Sequence, residues 1–351
     1  MSKPLMIYGV TGYTGRLVLQ EALARGLRPI LAGRSAAAVQ SLAEAHGLEA
    51  RAFALDDPAA VRAGLAGVGA VLHCAGPFLH TARPMLEGCL ASGAHYLDIT
   101  GEIAVFEAMA AADARAKAAG ISVLPGVGFD VVPTDCLAAH LKRRLPSATA
   151  LELAFSGGTG PSHGTAATVI EGLGLGGAVR RGGRITRVPT AWRTRTVEFA
   201  DKARVCVTIP WGDVSTAFHS TGIPDITTYM ATTASGLRSM RLMRWLEPVL
   251  RTRALKDFLL GRLKSRPAGP STAALERTRS QVYGEARDAA GTVVRSRLTA
   301  ATGYALTAMA GVRAAERVLA GGMPTGFLTP SKAFGADFVL EIPGSVREDL
   351  P

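Results

Sequence analysis

Through the first 125 positions, short apolar runs alternate with stretches whose apolar residues recur every three or four positions. The runs Leu5–Tyr8, Pro29–Ala32, Val68–Ala75, Ala94–Ile99 and Ile121–Leu124 read as strands buried on both faces. Between them, Leu17, Val18, Leu19, Ala22 and Leu23 form one helical face, and Gly26 stands where a helix C-cap belongs. Residues 84–91 and 107–119 supply further helices. Strands alternating with helices at this spacing predict an α/β fold of Rossmann type, a doubly wound parallel sheet.

After Pro146 the texture changes. Residues 149–155, 195–200 and 205–209 read as strands, 165–175 as a short helix and 303–319 as a longer one. Residues 282–286 and 293–300 flank Asp288-Ala-Ala-Gly291, a hairpin signature. The expectation is a dinucleotide-binding domain over 1–146, a second α+β domain with a mixed or antiparallel sheet over 147–323, and a return to the first domain over 324–351. The second sheet suits dimerisation, and a homodimer is expected.

The strand ends carry the chemistry. The first strand runs into Gly9-Val-Thr11-Gly12-Tyr13-Thr14-Gly15. There Gly9 allows a tight turn, Gly12 lets the backbone approach a pyrophosphate, and Gly15 lets the next helix pack closely with its N-terminal amides facing the anion. The second strand ends in Gly33-Arg34-Ser35. An NAD site usually has an acid there for the ribose 2′-OH, whereas a guanidinium pairs with a 2′-phosphate and Ser35 adds a hydroxyl. The cofactor expected is therefore NADP(H). Ligands of such sheets lie beyond the carboxyl ends of the strands, so Ala75-Gly76-Pro77-Phe78, Thr100-Gly101-Glu102 and Pro125–Asp130 are expected to border the nicotinamide, with Phe78 either packed on it or part of the core.

Composition narrows the class. Of 351 residues 48% are hydrophobic, no apolar run is long enough to span a membrane, and no charged leader with an apolar core precedes the first strand. A cytoplasmic protein is expected. The four cysteines form no C-x-x-C pair, and no metal-ligand cluster stands out, so no metal site is expected. The net charge of +11 is uneven. Residues 1–146 hold 13 Lys and Arg against 12 Asp and Glu, while the remaining 26 basic and 16 acidic residues make the second part +10.

Hydride transfer usually needs a proton donor for the developing anion. None of the six tyrosines has a lysine four residues on, so the Tyr-x-x-x-Lys mechanism is excluded, and there is no nucleophile elbow. The remaining acids are strand-end carboxyls, Asp98 and Glu102 after one strand and Asp130 and Asp135 after another. Each has a structural reading beside the catalytic one, and Asp135 suits a helix N-cap. His163, in the Gly-rich stretch 157–165, either donates a proton or is a solvated loop residue beside a Ser or Thr cap.

Residues 237–266 hold nine Lys and Arg against Glu247 and Asp257, interleaved with Leu242, Trp245, Leu246, Val249 and Leu250 at helical spacing. Pro248 splits the segment into two helices. A basic amphipathic hairpin suits an anionic membrane surface or an acidic acyl carrier. Two packed helices with a solvated basic face are the alternative. Nucleic acid is not an expected partner, since no nucleic-acid motif accompanies the charge.

Taken together, Gly9–Gly15 with Gly33-Arg34-Ser35, Ala75–Phe78, Tyr96-Leu-Asp-Ile-Thr-Gly-Glu102, Gly126–Asp135 and Leu328–Gly335 resemble the saccharopine dehydrogenase-like oxidoreductases. The similarity is greatest to the bacterial branch that includes trans-acting enoyl reductases. The resemblance implies an NADPH-dependent reductase moving a hydride to a C=C or C=O bond of a hydrophobic, carrier- or lipid-linked substrate. Two alternatives stay open. One is an imine reductase or opine-type dehydrogenase with Arg180, Arg181, Arg184 and Arg187 aimed at substrate carboxylates. The other is a non-catalytic NADP(H)-binding sensor or lipid-surface protein.

Overall fold

The computed structural model describes residues 3–157, 160–263 and 268–351. In chain order the first elements are β1 (Leu5–Tyr8), α1 (Tyr13–Ala24), β2 (Ile30–Gly33), α2 (Ala36–His46), β3 (Ala50–Ala52), α3 (Pro58–Gly64), β4 (Ala70–His73), α4 (Phe78–Ser92), β5 (His95–Asp98), α5 (Ile103–Ala111), α6 (Asp113–Ala118) and β6 (Ser122–Leu124). Then come α7 (Val132–Arg144), β7 (Ala148–Ser156), α8 (His163–Gly172), β8 (Gly177–Arg181), β9 (Arg184–Val188), β10 (Thr194–Glu198), β11 (Ala203–Thr208), α9 (Asp213–Thr221) and β12 (Asp225–Ala231). A helical arm follows, with α10 (Ala234–Met243), a 3₁₀ turn (Arg244–Leu246), α11 (Glu247–Leu250) and α12 (Arg253–Leu263). The chain closes with α13 (Thr272–Arg277), β13 (Arg279–Asp288), β14 (Val293–Ala301), α14 (Gly303–Leu319), β15 (Gly326–Phe327), α15 (Pro330–Phe334) and β16 (Val346–Leu350).

Two compact units result, one of residues up to Phe129 with Tyr304–Ala333, the other of Asp130–Gly303 with Phe334–Pro351. The first unit holds a seven-stranded sheet in the order β15-β6-β5-β4-β1-β2-β3. Every pairing in it is parallel. All four residues of β1 and of β4 are buried, as both faces of a doubly wound sheet require. The chain reverses winding direction between β1 and β4, the place where such sheets bind ligands.

The second unit is built on a nine-stranded mixed sheet, β10-β11-β12-β7-β13-β14-β16, with β8 and β9 attached beside β12. The β7–β12 pair is parallel and β13–β14 is the expected hairpin. The predicted helix over 165–175 starts two residues earlier, at His163, because Ser162 caps it by accepting from the Thr165 amide. Strands β8, β9, β12 and β16 were not legible as strands in the sequence.

The expected borders at 146 and 323 differ from the observed ones. Residues 132–144, expected in the first domain, form α7, nine of whose residues are buried. Its Leu137 and Leu141 fill the space that a Cβ on Gly284 of β13 would occupy. Helix α14, expected in the second domain, lies on the parallel sheet, with Gly311 against Leu72 of β4 and the Thr307 hydroxyl accepting from the Phe129 amide. The return to the first sheet by β15 is as expected, yet 334–351 belongs to the second unit, where β16 pairs with β14. In each case a long-range apolar face overrides the change of texture at Pro146. Among the described residues no helix is long and apolar enough to cross a membrane.

Candidate dinucleotide-binding site

Because β1, β2, β4, β5 and β6 are mutually parallel, the loops after them share one edge of the first unit's sheet. The glycines of the first loop differ in kind. Gly9 has φ +86°, and a Cβ there would lie 2.8 Å from the Ala75 nitrogen in the loop after β4. A Cβ on Gly15 would come within 2.3 Å of the Gly9 carbonyl oxygen. Gly12 is the N-cap of α1 in extended geometry, and its Cβ would meet only the Gly9 carbonyl oxygen, at 3.3 Å. So Gly9 and Gly15 shape the turn, and Gly12 leaves open space in front of the helix.

The first turn of α1 has no side-chain cap and no acidic residue. Its amides, Thr14 and Gly15 included, therefore point out of the helix without intrahelical partners and carry its positive dipole end. Such a helix end, beside the β1–β4 crossover, is suited to an anion. Tyr13 packs edge-on against Tyr304 of α14, with ring centroids 5.0 Å apart. Thr11 gives its carbonyl to the Arg16 Nε at 3.3 Å.

At the end of β2, Gly33 is buried while Arg34 and Ser35 are exposed. Ser35 caps α2, accepting from the Ala38 amide at 3.5 Å, and its hydroxyl proton stays available. Arg34 has no acidic partner among the described residues, whereas Arg51 on the adjacent strand is tied to Glu49 and to the carbonyls of Gly64 and Ala66. A lone exposed guanidinium at a helix N-terminus suits a phosphate monoester. Arg34→Ala is expected to weaken NADPH binding about 10- to 150-fold, the loss of about 1.5–3 kcal/mol for one charge-assisted contact. Calorimetry should find NADH affinity nearly unchanged.

The third loop, after β4, contains a cis Gly76–Pro77 bond. Phe78, read as either a nicotinamide contact or core, is a core residue, 8% exposed and packed edge-on against His73 at 5.3 Å. The Thr81 hydroxyl donates to the Ala75 carbonyl at 2.7 Å and steadies this loop. Glu102, expected as an acid catalyst, caps α4. Its two oxygens accept the Phe78 and Leu79 amides at 2.9 and 2.8 Å, while its own amide bonds the Thr100 hydroxyl at 3.1 Å. The loops after β4 and β5, with Thr100 and Gly101, are thus one hydrogen-bonded piece.

Asp98 fastens the loops after β5 and β6. Fully buried, it accepts the Tyr96 hydroxyl at 2.5 Å and the Thr100 and Gly126 amides at 3.0 and 2.8 Å. Burial nevertheless pushes its pKa up to about 6, against the lowering effect of those donors. The folded state thus holds this proton more tightly than the unfolded chain, where an aspartate titrates near about 3.9. Its stabilising contribution is therefore complete below about pH 4 and lost as pH rises through about 6. Asp98→Asn should gain stability relative to the parent by roughly 3 kcal/mol between about pH 4 and pH 7, read by urea unfolding at both.

The second unit gathers further carboxyls of its own. The Asp130 carbonyl accepts the Trp211 indole N–H at 2.9 Å. Asp135 is not the N-cap of α7. It lies within that helix, its amide on the Val131 carbonyl, and its fully buried carboxylate accepts the Ser220 hydroxyl. Asp213, at the start of α9, escaped sequence analysis; the only signal was an acid after Trp211-Gly212. Fully buried, it accepts the Thr134 hydroxyl at 2.6 Å through Oδ1, and its Oδ2 meets no partner among the described residues. Burial, aided by the charges of Asp135 and Asp130, raises its pKa well above the carboxylate range. His163 opens α8, half-buried, its amide on the Ala268 carbonyl at 2.9 Å. Gly158 and Thr159 of its loop lie outside the described residues.

Residues 5–124 match the profile of the saccharopine dehydrogenase NADP binding domain. The first part of this chain is thus similar to the NADP-binding domain of that family. The cofactor expected from Arg34 is the one this domain takes, and the anion site before α1 falls inside the matched span. Over 203 residues the chain is 26% identical to the saccharopine dehydrogenase-like oxidoreductase of Mus musculus, 50% of this chain and 47% of that protein. It is 29% identical over 149 residues to the trans-acting enoyl reductase of Mycobacterium leprae, 40% of this chain and 36% of that one. The chain thus spans less than half the length of these curated relatives. In structure it resembles saccharopine dehydrogenase (L-Glu forming) from Saccharomyces cerevisiae, with a TM-score of 0.67 at 13% identity over 99% of this chain and 100% of that one. At that identity the likeness shows the shared fold of a parallel-sheet domain with a mixed-sheet domain.

Proposed function

We propose that the chain is an NADPH-dependent reductase that delivers a hydride to a C=C or C=O bond of a hydrophobic, carrier- or lipid-linked substrate. The observation that carries this reading is the uncapped α1 N-terminus beside Gly9 and Gly12, with the unpaired guanidinium of Arg34 one strand away. When bound, NADPH supplies the hydride. The chain's own part is to hold the pyrophosphate on the α1 amides, the 2′-phosphate on Arg34 and Ser35, and to keep the loops around the nicotinamide in one piece through Asp98 and Glu102.

A proton must also reach the reduced substrate, and Asp130 is the proposed donor. Glu102 caps α4 and Asp135 takes the Ser220 hydroxyl, and Asp130, at the end of the loop after β6, is the strand-end acid put forward, with His163 second to it. The Asp130 charge acts on the fully buried Asp213, which places the two carboxyls in one electrostatic group.

The Mycobacterium leprae relative's name, an enoyl reductase, supports a conjugated C=C bond as target. An amino-acid imine has less support. Arg180, one of the arginines such a substrate would need, is 4% exposed, donates to the Val214 and Gly183 carbonyls and stacks on Phe218. Arg181 lies over Trp192.

The test is loss of reduced-nicotinamide absorbance with long-chain 2-enoyl thioesters, aliphatic ketones, and 2-oxo acids paired with amino acids. Turnover with the first or second class is expected. Turnover confined to the third would replace the reading, and NADPH binding without turnover on any class would favour a sensor.

A further inference from the structure

The helical arm from α10 to α12 is built inside out. Three of its cations bolt it to the second unit, Lys256 buried, Arg244 partly buried and Arg251 half-exposed. Arg244 donates to the Thr190 carbonyl at 3.1 and 2.8 Å, Arg251 to the Gly174 carbonyl at 2.6 Å, and Lys256 to the Glu171 carbonyl at 2.5 Å. Its apolar residues face outward. Leu242, Trp245, Leu246 and Val249, spaced as one helical stripe, are 63%, 83%, 46% and 57% exposed, and Phe258 on α12 is 58% exposed. Neither α10, the 3₁₀ turn nor α11 contains a buried residue, and α12 buries only Lys256. The expected single break at Pro248 is a 3₁₀ turn followed by short α11, with Pro248 in its first turn. Residues 264–266 of the predicted segment lie outside the described residues.

Charge surrounds this ridge. Residues 237–263 hold seven Lys and Arg against two acids, and both acids are spoken for. Glu247 takes the Thr190 hydroxyl and lies 3.6 Å from Arg251, and Asp257 pairs with Arg253 at 3.0 Å. Arg238 and Arg241, next to the ridge, have no acidic partner among the described residues. A water-facing helix puts its charges out and its Leu and Trp in; this one does the reverse.

We infer that the arm docks on an anionic lipid surface, the Trp245 ridge entering the boundary between headgroups and acyl chains while Arg238 and Arg241 meet lipid phosphates. A second copy of the chain would bring the same positive charge to a positive face. An acidic carrier protein would satisfy the arginines but give the protruding ridge nothing apolar to enter. An anionic bilayer matches both features, with tryptophan suited to the interface and each nearby arginine strengthening attachment. This inference is independent of the reductase reading, because it concerns where the protein sits and not what it turns over.

The experiment is cosedimentation of the full chain with vesicles of phosphatidylcholine mixed with phosphatidylglycerol, against pure phosphatidylcholine, at low and high salt. Binding is expected to the mixed vesicles only, to fade with salt, and to shift tryptophan fluorescence to the blue in the parent but not in Trp245→Phe. Arg238→Ala with Arg241→Ala should weaken binding about 30-fold, at about 5-fold for each arginine near an anionic surface. Trp245→Glu with Leu242→Glu should abolish it; these positions are exposed, so NADPH affinity and melting temperature should hold. Absence of sedimentation at low salt overturns the inference, as does sedimentation that the variants leave intact. Light scattering that shows a dimer dissociated by Leu242→Glu, or capture of an acylated carrier with no vesicle binding, assigns the ridge to that partner and overturns it equally.

Discussion

Gly12→Val is expected to lose NADPH binding by more than about 100-fold while melting within a few degrees of the parent. Two or more amide contacts to an anion, at roughly 1.5–3 kcal/mol each, account for the binding loss. The fold should tolerate the change because Gly12 has φ −73° and ψ 165°, which any residue adopts, and its Cβ would meet only the Gly9 carbonyl oxygen at 3.3 Å. An apolar N-cap costs about 1 kcal/mol. Valine's methyls would instead stand over the amides of Thr14 and Gly15, where the phosphate belongs. Gly15→Val is the contrasting variant. Its Cβ would press to 2.3 Å from the Gly9 carbonyl oxygen, so α1 could not dock on β1 and the first unit is expected not to fold. Calorimetry on both proteins, with thermal melts, separates the two roles. Normal NADPH affinity in Gly12→Val would place the pyrophosphate elsewhere.

Asp130→Asn is expected to lower turnover about 10²- to 10⁴-fold with NADPH affinity unchanged, the range for loss of a general acid. The substitution keeps the backbone contact in which the Asp130 carbonyl accepts the Trp211 indole. Asparagine keeps that carbonyl and the side-chain shape while removing the exchangeable acid proton. A purely structural Asp130 would behave otherwise, with stability down by about 1 kcal/mol and turnover intact. Single-turnover rates with the substrate class that reacts decide between them.

Much of the first unit was legible because its signals are local. Buried parallel strands are apolar throughout, crossover helices show a three-to-four period, and a glycine at a strand end marks where a backbone turns or is approached. Arg34 was singled out because the residue past the second strand of such a sheet usually meets the ribose. Glu102, Phe78 and Asp135 could not. A strand-end carboxyl has the same sequence signature whether it meets a substrate, caps a neighbouring helix as Glu102 does, or is sealed against a serine as Asp135 is. Asp213 was invisible for the same reason, since its burial comes from α7 and α9 packing together across 79 positions of sequence.

The arm at 237–263 shows the limit from the other side. Its amphipathic pattern was plain in the sequence, and pattern alone favours the apolar stripe packed inward. Backbone carbonyls of Glu171, Gly174 and Thr190 face the arm and take hydrogen bonds from Lys256, Arg251 and Arg244, while Trp245 is left out.

The sequence by itself determined the parallel α/β domain and pointed to an NADP cofactor, because each depends on residues within a few positions of one another. Tertiary structure alone decided where the units divide, that α14 serves the first sheet and the last strand the second, which carboxyls are structural, and which side of the arm meets solvent. Those outcomes depend on contacts between residues far apart in the chain, where the apolar face that finds a partner and the polar atom that loses water are set by what packs opposite them.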